Sequence, residues 1–173
     1  MPNIQDPYFS ESVILLCEHT INGAMGFIIN KSIDTLVLNQ IIEKKYFHSL
    51  YPKMSFSNIF FGGPVLLNKG LVLHRSHTQR KNSIKISEEI SITDYKNAND
   101  CINEKNIFKY KLLLGHAGWS AGQLEQEIKK GDWLIQNASP DFIFGTPPKK
   151  MWQDATSSLG IDLGSITKLN AKA

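Results

Sequence analysis

The chain has 173 residues, 42% of them hydrophobic and 20% charged, with a formal net charge of +3. That size supports one self-sufficient core, so a single domain over residues 1–173 is expected. No apolar run approaches the roughly 18 residues of a membrane span. Lysine carries the positive charge, because Arg75 and Arg80 are the only arginines, and dispersed lysine is a poor inventory for reading guanine in a DNA groove.

Residues 1–9 carry neither a basic stretch nor an apolar one of the secretory kind. Cys17 and Cys101 form no spaced framework, so a reducing, cytoplasmic setting is the expectation. Residues 12–19 read as a strand, and Asn22-Gly23 as a type I′ hairpin turn returning through Met25–Asn30. Asp34 opens a helix with Leu38, Ile41 and Ile42 on one face, running to about Lys44. Ile59–Phe61 is a short strand stopped by Gly62-Gly63-Pro64, since proline cannot donate to a ladder. Residues 71–75 form the second arm of a hairpin with it, and Ile84 and Ile86 alternate as in an edge strand. Ile90–Thr93 is a further strand, and Asp94 caps a helix to about Asn103.

Tyr110–Leu114 is apolar without alternation, as in a strand buried on both faces. The glycine-rich stretch Gly115-His116-Ala117-Gly118-Trp119-Ser120 then reads as a turn into a helix over 121–130. Ser120 and Gln123 have the spacing of a capping box. Glu125 stands four residues before Lys129, the favourable order for a surface ion pair. Trp133–Ile135 is read as a strand. Ser139-Pro140 and Thr146-Pro147 both read as helix starts, and the last helix presents Trp152, Ala155, Thr156 and Leu159 on one face before Gly160. The fold class that follows is α+β, a compact domain with a mixed, mostly antiparallel sheet covered by helices.

The chemistry-bearing residues are few. Cys17-Glu18-His19 sits on a strand, where Cys17 and His19 share a face opposite Glu18 and form no local triad. A cysteine nucleophile would therefore need a base from elsewhere, such as His74 or His116. The five histidines, His19, His48, His74, His77 and His116, have no metal-ligand spacing, and neither a metal nor a cofactor is expected. The glycine stretch lacks the lysine of a phosphate loop and the dinucleotide fingerprint. It leaves a helix start with exposed N–H groups that suits a small anion. Gly62, Gly63, His74 and Arg75, together with Gly118, Trp119, Ser120 and Gln123, are the candidate cleft for a small anionic ligand or a protein partner.

Segments along nearly the whole chain resemble the YqgE/AlgH family: Gln5-Asp6-Pro7-Tyr8-Phe9, Cys17-Glu18-His19, Gly23-Ala24-Met25-Gly26-Phe27, Phe61-Gly62-Gly63-Pro64, Gly70–Arg75, the 115–128 stretch, Trp133-Leu134 and Leu159-Gly160-Ile161-Asp162. The resemblance implies an α+β fold without a settled activity, and a regulatory role in transcription has been suggested for the family. Two departures stand out. Family members usually begin with a further apolar strand, of which Met1-Pro2 looks like the end, so either the true start lies upstream of Met1 or the strand at 12–19 is left with an open edge. Gly145 stands where the family tends to place an acidic residue. The reading is a cytoplasmic binding or regulatory protein without catalytic activity. A regulator contacting DNA directly is the alternative, and an enzyme with a converged His/Cys/Glu site comes third.

Overall fold

The computed structural model describes residues 6–33, 58–75, 82–98 and 110–160. Among these residues it has an α+β architecture: a curled, mostly antiparallel seven-stranded sheet and three α-helices. The helix expected at 34–44, the extension of the 94–103 helix beyond Ala98, and His48, His77 and Cys101 lie outside the described residues.

Strand β1 (Ile14–Thr20) pairs antiparallel with β2 (Gly23–Ile28). The turn between them is Ile21-Asn22, one residue earlier than expected. Neither residue has the positive φ of a type I′ turn, while Gly23 has φ 138°. A bulge lies between Leu16 and Glu18, and it resets the alternation. Cys17 therefore packs inward against the cluster around Phe27. His19 lies opposite Ala24, a residue of a different cluster. The two do not share a face.

Strand β7 (Tyr110–Ser120) is the spine of the sheet. It runs straight through Gly115–Ser120, so the expected glycine turn does not exist. On one of its edges lie β3 (Ile59–Phe61), parallel, and then β2, antiparallel. On its other edge lies β4 (Val65–Arg75), followed by β6 (Ile90–Asp94) and the short outer strand β5 (Ser83–Lys85). The expected hairpin between 59–61 and 71–75 is thus replaced by two strands on opposite sides of β7. Asp94 caps as expected, accepting from the N–H of Lys96, but the turn it opens is a 3-10 turn at Tyr95–Asn97.

The chain passes from β3 to β4 by crossing the face of β7 at Gly62-Gly63. Gly62 N–H donates to Leu114 O at 2.8 Å, and Gly62 O accepts from Ile28 N–H at 2.8 Å. A Cβ on Gly62 would overlap the Gly115 carbonyl, and one on Gly63 (φ 148°) would overlap the backbone of His116 and Ala117. Gly115 (φ 71°) faces the Gly63 carbonyl in return. Only residues without a side chain permit two backbones to pass this closely.

Helix α1 (Gln123–Lys129) lies against β7 and β2. Helices α2 (Pro140–Gly145) and α3 (Pro148–Ser158) close the opposite face, where Ile143 and Met151 are fully buried with Phe27, Leu73 and Leu113. Ser139 caps α2, accepting from Phe142 N–H at 3.1 Å. Thr146 closes α2, and Pro147 is the residue before α3, one later than the sequence suggests. Gly160, with φ 72°, follows the α3 C-cap at Leu159, in the place expected for it. Trp133–Asn137 joins no ladder, so the strand expected there is not one.

Candidate functional site

The eight candidate residues fall in three places. Gly62 and Gly63 form the backbone crossing described above. His74 is fully buried on β4, its Nε2 2.9 Å from Thr93 Oγ1, which in turn meets Ser83 Oγ at 2.7 Å. These contacts join β4, β6 and β5. Arg75 next to it donates to Glu89 Oε2 from Nε (2.9 Å) and Nη2 (2.6 Å), and to Asp141 Oδ1 from Nη1 (3.0 Å). The hydrogen bond to Glu89 is the largest influence raising the guanidinium's pKa. This positive charge ties α2 to the sheet through two carboxylates.

Trp119, Ser120 and Gln123 do meet, around a residue that sequence reasoning missed. The N-cap of α1 is Gly122, not Ser120, and no side chain caps it. Half of the expected capping box exists: Ser120 N–H donates to Gln123 Oε1 at 3.0 Å. Gln123 Nε2 then donates to Glu127 Oε1 at 2.9 Å. The second oxygen of Glu127 accepts from the indoles of both Trp119 (2.9 Å) and Trp133 (2.7 Å). The four-residue spacing of Gln123 and Glu127 was the available signal, but nothing local reveals that two tryptophans from other segments converge there. Glu125 pairs with His19 at 2.6 Å rather than with Lys129. With its capping side chain absent and its seven residues short, α1 offers no anion site. Gly118, exposed on β7, has open space where a Cβ would be.

Removing Glu127 strands two partly buried indole donors at once. Hydrogen bonds to charged groups contribute roughly 1.5–3 kcal/mol each and half-exposure lowers that, so Glu127→Ala is expected to destabilise by about 2 kcal/mol. Glu127→Gln, which keeps the acceptor, retains most of that stability. Chemical denaturation followed by tryptophan emission separates the two substitutions.

Trp119 also lines an apolar slot of about 330 Å³. Its lining takes in Ser12–Leu16, around the start of β1, and the stretch from Trp133 to Ala138. Ile90, Leu124, Phe142 and Trp152 also line it, and no charged side chain does. All three tryptophans of the chain are in the lining. The indole Nε1 of Trp152 is buried with no hydrogen-bond partner among the described residues, a state that costs free energy until an acceptor arrives. Leu16, Leu134, Ile135 and Leu159 of the rim are exposed. Of the eight residues picked from the sequence, Trp119 alone belongs to this slot.

Catalytic groupings are sparse among the described residues. Burial pushes the Cys17 thiol up to about 12, and its Sγ contacts Leu15 O at 3.5 Å, so at neutral pH it is a small apolar group rather than a thiolate. His19, His74 and His116 face Glu125, Thr93 and the Phe27 ring respectively. No three His, Cys, Asp or Glu side chains of the described residues converge as metal ligands. No helix of the described residues is long and apolar enough to cross a membrane.

Comparison with known proteins places these features in a family. The AlgH-like family model matches residues 1–164. A UPF0301 protein of Vibrio vulnificus is 38% identical over 172 residues, covering 96% of this chain and 91% of the relative. A UPF0301 protein of Dechloromonas aromatica is 33% identical, covering 100% and 93%. The solution structure of the AlgH protein from Pseudomonas aeruginosa superimposes with a TM-score of 0.72 at 31% identity, over 96% of this chain and 88% of that one. A crystal structure of a Corynebacterium diphtheriae protein shares the fold at 22% identity, with a TM-score of 0.70 over 90% and 81% of the two chains. The chain belongs to the AlgH-like family, as its sequence segments indicated.

Proposed function

We propose that this AlgH-like protein is a binding or regulatory protein without catalytic activity, and that its working surface is the slot between β1 and Trp133–Ala138. The observation that carries the reading is the lining: uncharged, mostly apolar, with three tryptophans and one buried indole N–H lacking an acceptor. Binding sites of this type are concave and apolar, with a few polar groups that set orientation. A direct contact with DNA, the alternative from the sequence, needs cationic side chains against phosphate, and the slot has none.

The test uses an uncharged probe, N-phenyl-1-naphthylamine, read by tryptophan emission, since all three tryptophans line the slot. Saturable one-to-one binding with quenching of tryptophan emission is the expected result. Ala155→Phe, which fills the slot from α3, should weaken it at least about tenfold, equivalent to 1.4 kcal/mol. Binding that does not saturate, or that is indifferent to Ala155→Phe, rules out the slot as the working surface.

A further inference from the structure

The hairpin between β1 and β2 turns on Ile21-Asn22, and Gly23 opens the return strand. A distant strand demands glycine there: a Cβ would overlap the Trp119 carbonyl oxygen, and a φ of 138° is one that L side chains rarely adopt. Asn22 is therefore followed by a main-chain nitrogen that no side chain shields. Asn22 itself is exposed, beside the 93% exposed Ile21. Its N–H donates to Thr20 Oγ1 at 3.2 Å, but its carboxamide has no hydrogen-bond partner among the described residues. Thr20–Gly23 is the last pair of the β1–β2 ladder, and Gly23–Ser120 the last of the β2–β7 ladder. Pairs at the end of a ladder open locally, without unfolding the rest.

Asn30 has the contrary arrangement. Its Oδ1 accepts from Val13 N–H at 2.8 Å and its Nδ2 donates to Glu11 O at 2.9 Å, so the carboxamide is held at both ends. A lysine, Lys31, follows it in place of a glycine.

We propose that Asn22 is a self-modifying site, deamidating through a cyclic imide with Gly23 to leave Asp or isoAsp at the hairpin tip. The Gly23 main-chain nitrogen gives its proton to hydroxide and attacks Asn22 Cγ, forming a C–N bond. The Cγ–Nδ2 bond breaks, and Nδ2 takes a proton from water and leaves as ammonia. Water then opens the imide ring. Breaking the new Cγ–N bond leaves Asp, while breaking the original peptide bond leaves isoAsp, whose chain continues through the side-chain carbonyl. Water enters, ammonia departs, and nothing is oxidised or reduced. Each event adds one negative charge to a chain of formal net charge +3. The isoAsp form also carries an extra carbon in the main chain of the turn. Gly23 sits too close to the Trp119 carbonyl to absorb that shift, so the adjoining end of β2 loosens from β7.

The test incubates the folded full chain in heavy-oxygen water at neutral and mildly alkaline pH and maps its peptides by mass spectrometry. Conversion at Asn22 is expected at least about tenfold faster than at Asn30, rising with hydroxide concentration. Each event should gain one heavy oxygen, with both Asp and isoAsp among the products. Asn22→Gln, whose longer side chain closes a larger ring far more slowly, should remove the conversion. If that variant does not fold, the ratio of Asn22 to Asn30 in the parent chain still decides. In the isoAsp form, hydrogen exchange should speed up at the amides of Ala24 and Trp119, a pair of the β2–β7 ladder. Conversion at Asn22 no faster than at Asn30, or seen only once urea unfolds the chain, overturns the proposal. Unchanged exchange at Ala24 and Trp119 after conversion overturns its effect on the sheet.

Discussion

Gly63→Ala is expected to yield no folded protein. The methyl group has no room, because it would overlap the main chain of His116 and Ala117, and no rotamer change moves backbone aside. The φ of 148° adds strain that an L side chain rarely accepts. Clashes of this kind belong with the largest single-residue effects, at least ~4 kcal/mol, against a typical domain stability of roughly 5–15 kcal/mol. The companion substitution is Gly118→Ala, three positions after the equally intolerant Gly115 on the same strand. No heavy atom lies within 4 Å of its would-be Cβ and its φ is ordinary. Glycine within a strand is less stable than alanine by roughly 0.5–1 kcal/mol, so Gly118→Ala should leave stability unchanged or raise it. Circular dichroism and urea titration of the two variants check this. A Gly63→Ala protein that melts like the parent would mean that β3 and β4 do not cross β7 as described.

The second expected result concerns Lys111. Its Nζ is buried on β7, donates to Ile29 O at 2.8 Å and stands 4.1 Å from the centre of the Phe60 ring. No carboxylate is paired with it among the described residues. Desolvation lowers the ammonium from 10.5 to about 8. Because the folded pKa lies below the unfolded one, the unfolded chain holds the proton more tightly, and the cost of the buried charge is fully present below pH 8. Between pH 8 and 10.5 the folded protein sheds the proton while the unfolded chain keeps it, so stability rises with pH. The rise is about 3 kcal/mol at most, taking about 1.4 kcal/mol per unit. Urea midpoints for the parent and Lys111→Met across this range provide the test. Other groups titrate alike in both proteins, so the difference isolates Lys111. Parallel curves would show that the ammonium is not desolvated at this position.

The carbonyl that Lys111 occupies also bears on the slot. With Ile29 O taken by the ammonium, Val13 N–H is satisfied instead by Asn30 Oδ1 at 2.8 Å. The side chain of Asn30 also donates to Glu11 O at 2.9 Å. The start of β1, which lines part of the slot, is thus held by an asparagine side chain where the ladder gives way to a lysine. Loosening at Lys111 should therefore reach the slot through backbone bonds.

Much of this protein is legible in its residues alone, wherever neighbours in sequence decide the matter. The doubly buried run Tyr110–Leu114, the Ser139 and Asp94 caps, the Gly160 terminator and the α+β class all rest on local spacing and local hydrogen bonds. The family resemblance is legible for the same reason, since short segments keep their order along the chain. What the local pattern could not decide is where glycine acts through a distant backbone. Gly115–Ser120 has the composition of a turn, yet it stays in a strand because β2 and β4 pair with it. Gly62 and Gly63 owe their identity to residues more than 50 positions away. The slot was equally out of reach: its tryptophans come from three separate segments, and Glu127 orients two of them across a gap that sequence distance hides. A bulge of one residue at Cys17 likewise separated two side chains that strand periodicity had put together. Local chemistry settles which elements form, and only long-range pairing settles which edges remain open.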